Sequence, residues 1–129
     1  MECKSFVNIE IRPTDDAVRL LRLILSFASD CLDFDLDEID ELKVAITEII
    51  GYLRSYLSDD VLVRFSLLLD DDVLRTEIFA PISPESFSLD ERSPMFVLAR
   101  SLLDELEFNE REDGVFSIRM AKQKRNSDE

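Results

Sequence analysis

The chain predicts an α/β fold: a two-layer sandwich of about five mostly antiparallel strands in a mixed sheet, with three helices on one face. Three observations carry this. Apolar residues alternate in four or five short runs, which marks strands. They recur at three- and four-residue spacing in three longer runs, which marks helices. Turn and cap residues stand at the junctions, so the order reads strand, helix, helix, strand, strand, loop, helix, strand, strand. With 129 residues, the chain is expected to form one domain over 1–122 and a disordered polar tail over 123–129.

The first strand is "FVNIEIRP": Val7, Ile9 and Ile11 take one face, Asn8, Glu10 and Arg12 the other, and Pro13 ends it. Thr14 follows as an N-cap, with Asp15 and Asp16 suited to the positive end of a helix dipole. That first helix runs to about Leu32. The second, from about Asp37 to Leu57, places Ile39, Leu42, Ile46, Ile49, Leu53 and Tyr56 on a buried stripe. Glu41, Ala45, Glu48, Tyr52 and Ser55 line a different edge. Gly51 costs this helix about 1 kcal/mol against alanine, and close packing is the expected reason for it.

"VLVRFSLLL" (61–69) and "VLRTEIFA" (73–80) pair as antiparallel strands across the Asp70–Asp72 turn. Residues 81–93 hold two prolines and no apolar period, and read as a connecting loop. Ser93-Pro94 is an N-cap followed by proline at the first helical position. It opens the third helix, "PMFVLARSLLDEL". "LEFNEREDGVFSIRM" closes the domain as a hairpin with Asp113-Gly114 at its turn.

Composition removes several function classes. A net charge of −14 repels nucleic acid and anionic membranes and favours a basic protein partner, although solubility alone also accounts for it. No run of 18 apolar residues and no signal-peptide core is present, so the chain is expected to be cytoplasmic. There is no histidine, hence no Ser–His or Cys–His catalytic pair and no common zinc ligand. Cys3 and Cys31 lack metal-ligand spacing; Cys31 reads as a small core residue, with a Cys3–Cys31 disulfide as the alternative. The aspartates of "DFDLDEIDE" (33–41) imitate the start of a calcium loop, but Glu38 stands where glycine is required and Val44 where glutamate is. Two glycines in the whole chain exclude a Walker-type phosphate loop.

The element order, "LDEIDELKVAITEII" on the second helix and "FVLARSLLDELEF" on the third together resemble the anti-sigma factor serine kinases of the histidine-kinase-like (GHKL) ATPase superfamily. The resemblance extends from Phe6 to about Lys122. It implies the histidine-kinase-like ATPase fold and a role in transcription regulation. It also carries the family's general base onto Glu48, for which the plainer reading is an exposed charge on a helix flank. The family's magnesium-binding asparagine falls on Tyr52, and a further polar position on Tyr56. Its adenine-reading D-x-G-x-G loop falls on Ala80, Ile82 and Pro84, and the glycine-rich end of its lid on Ser93, Pro94 and Met95.

The resemblance thus implies that Glu48 is a vestigial base and that Tyr52, Ala80, Ile82 and Pro84 outline a vestigial pocket. The expected function is protein–protein binding with a non-functional nucleotide site, no cofactor and no metal. Implied partners are a sigma factor or a STAS-domain anti-anti-sigma protein, and a second copy in a homodimer. Two alternatives stand beside it: an active ATP- and magnesium-dependent serine kinase with an unusual pocket, and a dimeric adaptor in another signalling pathway. If the pocket is degenerate, Tyr52 with Phe79 or Phe87 is expected to occlude it.

Overall fold

The computed structural model describes residues 6–58, 60–82, 90–110 and 114–125. Its elements are β1 (Phe6–Ile11), α1 (Asp15–Cys31), α2 (Leu36–Arg54), β2 (Val63–Asp70), β3 (Val73–Ala80), α3 (Pro94–Leu102), β4 (Glu105–Glu110) and β5 (Phe116–Gln123). The strands form one sheet in the order β1-β2-β3-β5-β4.

Every neighbouring pair of these strands is antiparallel, which corrects the expectation of a mixed sheet. The reason is topological. α3 carries the chain from β3 out to the far edge, where β4 runs in the same direction as β3. β5 then returns between them and pairs with both, so the two parallel strands never touch.

Strand parity separates the two faces. Phe65, Leu67 and Leu69 of β2, Leu74, Ile78 and Ala80 of β3, and Phe116, Ile118 and Met120 of β5 are buried. They meet Leu21, Leu25 and Ala28 of α1, Leu42, Ala45, Ile46, Ile49 and Leu53 of α2, and Met95, Phe96 and Ala99 of α3 in one core. The other face carries Ser66, Arg75, Glu77, Glu105, Glu107 and Arg119 around a cavity of about 300 Å³, with Arg119 paired to Glu77 at 2.9 Å and Arg75 to Glu105 at 3.6 Å.

The predicted caps are in place. The Thr14 hydroxyl accepts from the Ala17 N–H at 3.2 Å, and the Ser93 hydroxyl from the Phe96 N–H at 3.3 Å. α2 starts one residue earlier than predicted because Asp35 caps it: its carboxylate accepts from the Glu38 N–H at 2.7 Å, and Glu38 reaches back to the Asp35 N–H at 2.9 Å. This reciprocal capping box gives the aspartate-rich run a structural use.

α2 ends at Arg54 and α3 at Leu102, both short of the predicted limits. α3 stops because Leu103 is extended (ψ 153°) and the following residues pair with β5 from Glu105↔Ala121 onward. Gly51 is exposed, and a Cβ built on it meets nothing within 4 Å, so packing within the chain does not explain it. Cys31 is half-buried at the end of α1 rather than enclosed. Cys3 and the Asp113 half of the turn lie outside the described residues.

Candidate functional site

The described residues among those singled out by sequence lie on the C-terminal half of α2, at the end of β3 and just after it, and at the entry to α3. α2 and α3 pack together, and Ala45 and Ala99 are fully buried. The edge Glu41–Ala45–Glu48–Tyr52–Ser55 splits. Ala45 is buried, Glu41 and Tyr52 are half-buried, and Glu48 and Ser55 are exposed. Glu48 is therefore a solvent-facing member of this edge.

Tyr52 is tied into the seam. Its ring lies 5.6 Å from that of Tyr56, tilted by 56°. Burial is the main cause that raises its phenol above the ordinary value; a hydrogen bond with the Tyr56 hydroxyl adds to this, and a main-chain hydrogen bond from Asp90 works against it. Asp90 thus links Tyr52 to the end of the 81–93 loop. Ala80 and Ile82 are almost wholly buried, and the Ile82 N–H bonds back to the Ala80 carbonyl at 2.8 Å. Pro84 and Phe87 lie outside the described residues.

Phe79 does not line this region. Its parity puts it on the opposite sheet face, where the Arg64 guanidinium stacks 4.4 Å over its ring. Of the two described aromatics expected to occlude the pocket, Tyr52 is on the α2 side and Phe79 is not.

At the position onto which the resemblance carries a magnesium ligand stands the Tyr52 phenol, beside Tyr56 and Asp90. At the positions onto which the resemblance carries the adenine-reading loop, Ala80 and Ile82 are apolar and enclosed. Among the described residues, no group of three or more His, Cys, Asp and Glu is arranged to hold a metal ion. No helix among them is long and apolar enough to cross a membrane.

A second polar cluster, missed by sequence, closes the other end of the seam. Lys122 on β5 is 4% exposed. Its ammonium donates to Glu41 Oε1 at 2.9 Å and to the Leu102 carbonyl, at the C-terminus of α3, at 2.7 Å. Arg125 adds a second cation to Glu41, and its N–H donates to Glu38 Oε2. The Lys122 hydrogen bond is the main cause holding the Glu41 carboxyl below its ordinary value, with the charges of Lys122 and Arg125 reinforcing it.

The Lys124 N–H donates to the Asp72 carbonyl at 2.7 Å. Residues 123–125 are therefore strand and bonded chain, not the tail predicted from 123; 126–129 lie outside the described residues. Parity carried the missed signal, since Phe116, Ile118, Met120 and Lys122 alternate on one face.

No family model and no curated protein matches the chain. Among solved structures it is similar to the crystal structure of the RsbU and RsbW domains of Rv1364c from Mycobacterium tuberculosis. The TM-score is 0.62 at 17% identity, over 93% of this chain and 32% of that one. The chain has the RsbW-like fold. At that identity the likeness is one of fold, and this chain spans about a third of the neighbour's length. The RsbW-like fold agrees with the sheet and three helices predicted from sequence and with the histidine-kinase-like resemblance.

Proposed function

We propose that the chain is an anti-sigma-factor-like regulator that acts by protein–protein binding, as a homodimer, without using a nucleotide. The RsbW-like fold supports the regulatory reading. The observation that carries the second half is Tyr52, bonded to Tyr56 and Asp90 at the place where the resemblance puts a magnesium ligand. The partner is a sigma factor or a STAS-domain protein, and the excess of acidic side chains, −14 in net charge, suits a basic surface such as a DNA-binding patch. Release from such a partner then depends on competition or on modification of the partner, because phosphorylation by this chain needs a bound triphosphate.

Titration calorimetry with ATP and magnesium tests the nucleotide half, with no heat of binding expected up to millimolar ligand. Micromolar affinity would establish the active-kinase alternative instead. Purified sigma factors and STAS-domain proteins from the source genome test the partner half. One of them is expected to bind in a salt-sensitive manner, and if none does, the adaptor reading replaces this one.

A further inference from the structure

β4 closes the sheet at one end. It pairs with β5 from Glu105 to Glu110 and has no outer partner among the described strands. In an antiparallel ladder alternate residues turn their N–H and C=O groups away from the neighbouring strand, so an edge strand carries a row of open donors and acceptors. β4 has 6 residues, enough to pair with an added strand of ordinary length.

Parity gives this edge two unlike sides. Phe108 and Leu106 stand opposite Ile118 and Met120, which are buried beneath the helices. Glu105, Glu107 and Asn109 take the other parity and are exposed on the open sheet face. On the helical side a groove of about 360 Å³ lies beside Leu106 and Phe108, lined also by Phe96, Arg100 and Glu91. Phe108 stacks on Phe96 at 4.8 Å, and the Arg100 guanidinium lies 4.5 Å from the Phe96 ring. On the open side, Glu105 and Glu107 border the cavity of about 300 Å³. A strand laid along β4 therefore turns one set of side chains to carboxylates and the other to an aromatic groove.

Charge selects the occupant. Arg75 stands 3.6 Å from Glu105, while Arg119 is held by Glu77 at 2.9 Å. Glu107 makes no ion pair among the described residues. Opposite charges facing each other across a ladder stabilise it and like charges weaken it. A second β4 would set glutamates on the same side as glutamates, on a chain that already stands at −14. Lysine or arginine opposite Glu105 and Glu107 is favoured by the same rule, and an apolar residue between them faces the groove.

We infer that the outer edge of β4 is a strand-addition site for an extended basic segment of another protein. Its cationic side chains face Glu105 and Glu107, and its intervening apolar side chains enter the groove beside Phe108. The inference goes beyond the proposed function: it stands on the edge, the groove and the charge, and requires neither a sigma factor nor a nucleotide.

Fluorescence anisotropy of a labelled peptide, KVKFKVK, titrated with the full chain tests it. Saturable micromolar binding that weakens as salt rises is expected, with none for EVEFEVE. Glu107→Lys is expected to weaken binding about tenfold, with unchanged circular dichroism because the side chain is exposed. Asp16→Lys, an equal change of charge on exposed α1 surface, is expected to stay within about twofold, since a charge beyond the screening length contributes little. Two further peptides carry N-methyl groups, one on every lysine and the other on every valine and phenylalanine. One of the two is expected to lose binding, because an added strand donates alternate N–H groups to the edge. Hydrogen exchange is expected to slow for β4 amides on adding KVKFKVK and to stay constant for those of β1.

Absence of binding by KVKFKVK overturns the inference, as does full affinity in both N-methylated peptides or protection of β1 in place of β4. Equal losses for Glu107→Lys and Asp16→Lys indicate charge attraction without a site and also overturn it. Amides of β4 that slow with protein concentration alone assign the edge to a second copy, with the same consequence.

Discussion

Removing the Glu41 carboxylate strands a buried ammonium. Lys122, with a side chain 5% exposed, has two partners, Glu41 at 2.9 Å and the Leu102 carbonyl at 2.7 Å. In Glu41→Ala the carbonyl alone remains. Breaking a buried ion pair by deleting one partner costs about 3–5 kcal/mol. Glu41 retains 28% exposure, so some of its partner's charge is relieved by water, and about 3 kcal/mol is expected. For a chain of 129 residues, at roughly 3–4 °C per kcal/mol, the melting temperature falls by about 10 °C.

Lys122→Met is milder, about 1–2 kcal/mol, because Glu41 keeps Arg125 and the loss is chiefly one hydrogen bond to a carbonyl. The double variant Glu41→Ala/Lys122→Met leaves no buried ammonium unpaired, so its loss is expected to be about 2 kcal/mol, well below the sum of the singles. Urea melts with unchanged m-values measure all three, and the coupling read from the cycle is about 2 kcal/mol or more. A Glu41→Ala cost no larger than that of an ordinary surface change, about 0.5 kcal/mol, would refute the reasoning; so would a double variant whose loss equals the sum of the singles.

Three further outcomes follow from the same structure. The Glu41 carboxyl is held below its ordinary value in the fold, so its stabilisation is complete above the unfolded value near pH 4.3 and disappears as pH falls through the lower folded value. The stability gap between wild type and Glu41→Gln is therefore expected to close on acidification, measured by urea melts across that window. Asp35→Ala removes the cap on the Glu38 N–H and is expected to cost about 1–2 kcal/mol, with early loss of helicity at the start of α2 by hydrogen exchange. Gly51→Ala places a methyl in open space and is expected to stabilise the chain by about 1 kcal/mol in thermal melts.

Local chemistry made much of the fold legible. The alternation at Val7, Ile9 and Ile11, the caps at Thr14 and Ser93, and the acidic turn between β2 and β3 each depend on neighbours within a few residues. The end of α3 was not legible, because Leu102, Leu103 and Leu106 satisfy a helical period and Leu106 and Phe108 satisfy a strand period. Pairing with β5 decides between them, and that pairing is tertiary. Strand direction failed for a similar cause, since nothing local states that β5 inserts between β3 and β4.

At the site, Glu48 and Tyr52 were placed on one edge correctly as to spacing, but exposure separates them, and Phe79 was assigned to the wrong face although its parity with Ile78 and Ala80 was readable. Asp35-x-x-Glu38 carried a capping-box signal that was present and unread. Lys122 was hidden by its polar neighbours: a lysine before "QKRNSDE" reads as the start of a tail unless the parity of β5 is continued one residue past Ala121.

The contacts of the final strand bear on how the chain matures. Glu41 and Glu38, early in the sequence, take their cations and N–H partner from residues 81 to 87 positions later. Glu41 on a nascent chain therefore lacks its cations until residues 122–125 have been made. Closure of the sheet and of the α2 carboxylate cluster both wait on β5, the element that inserts between β3 and β4.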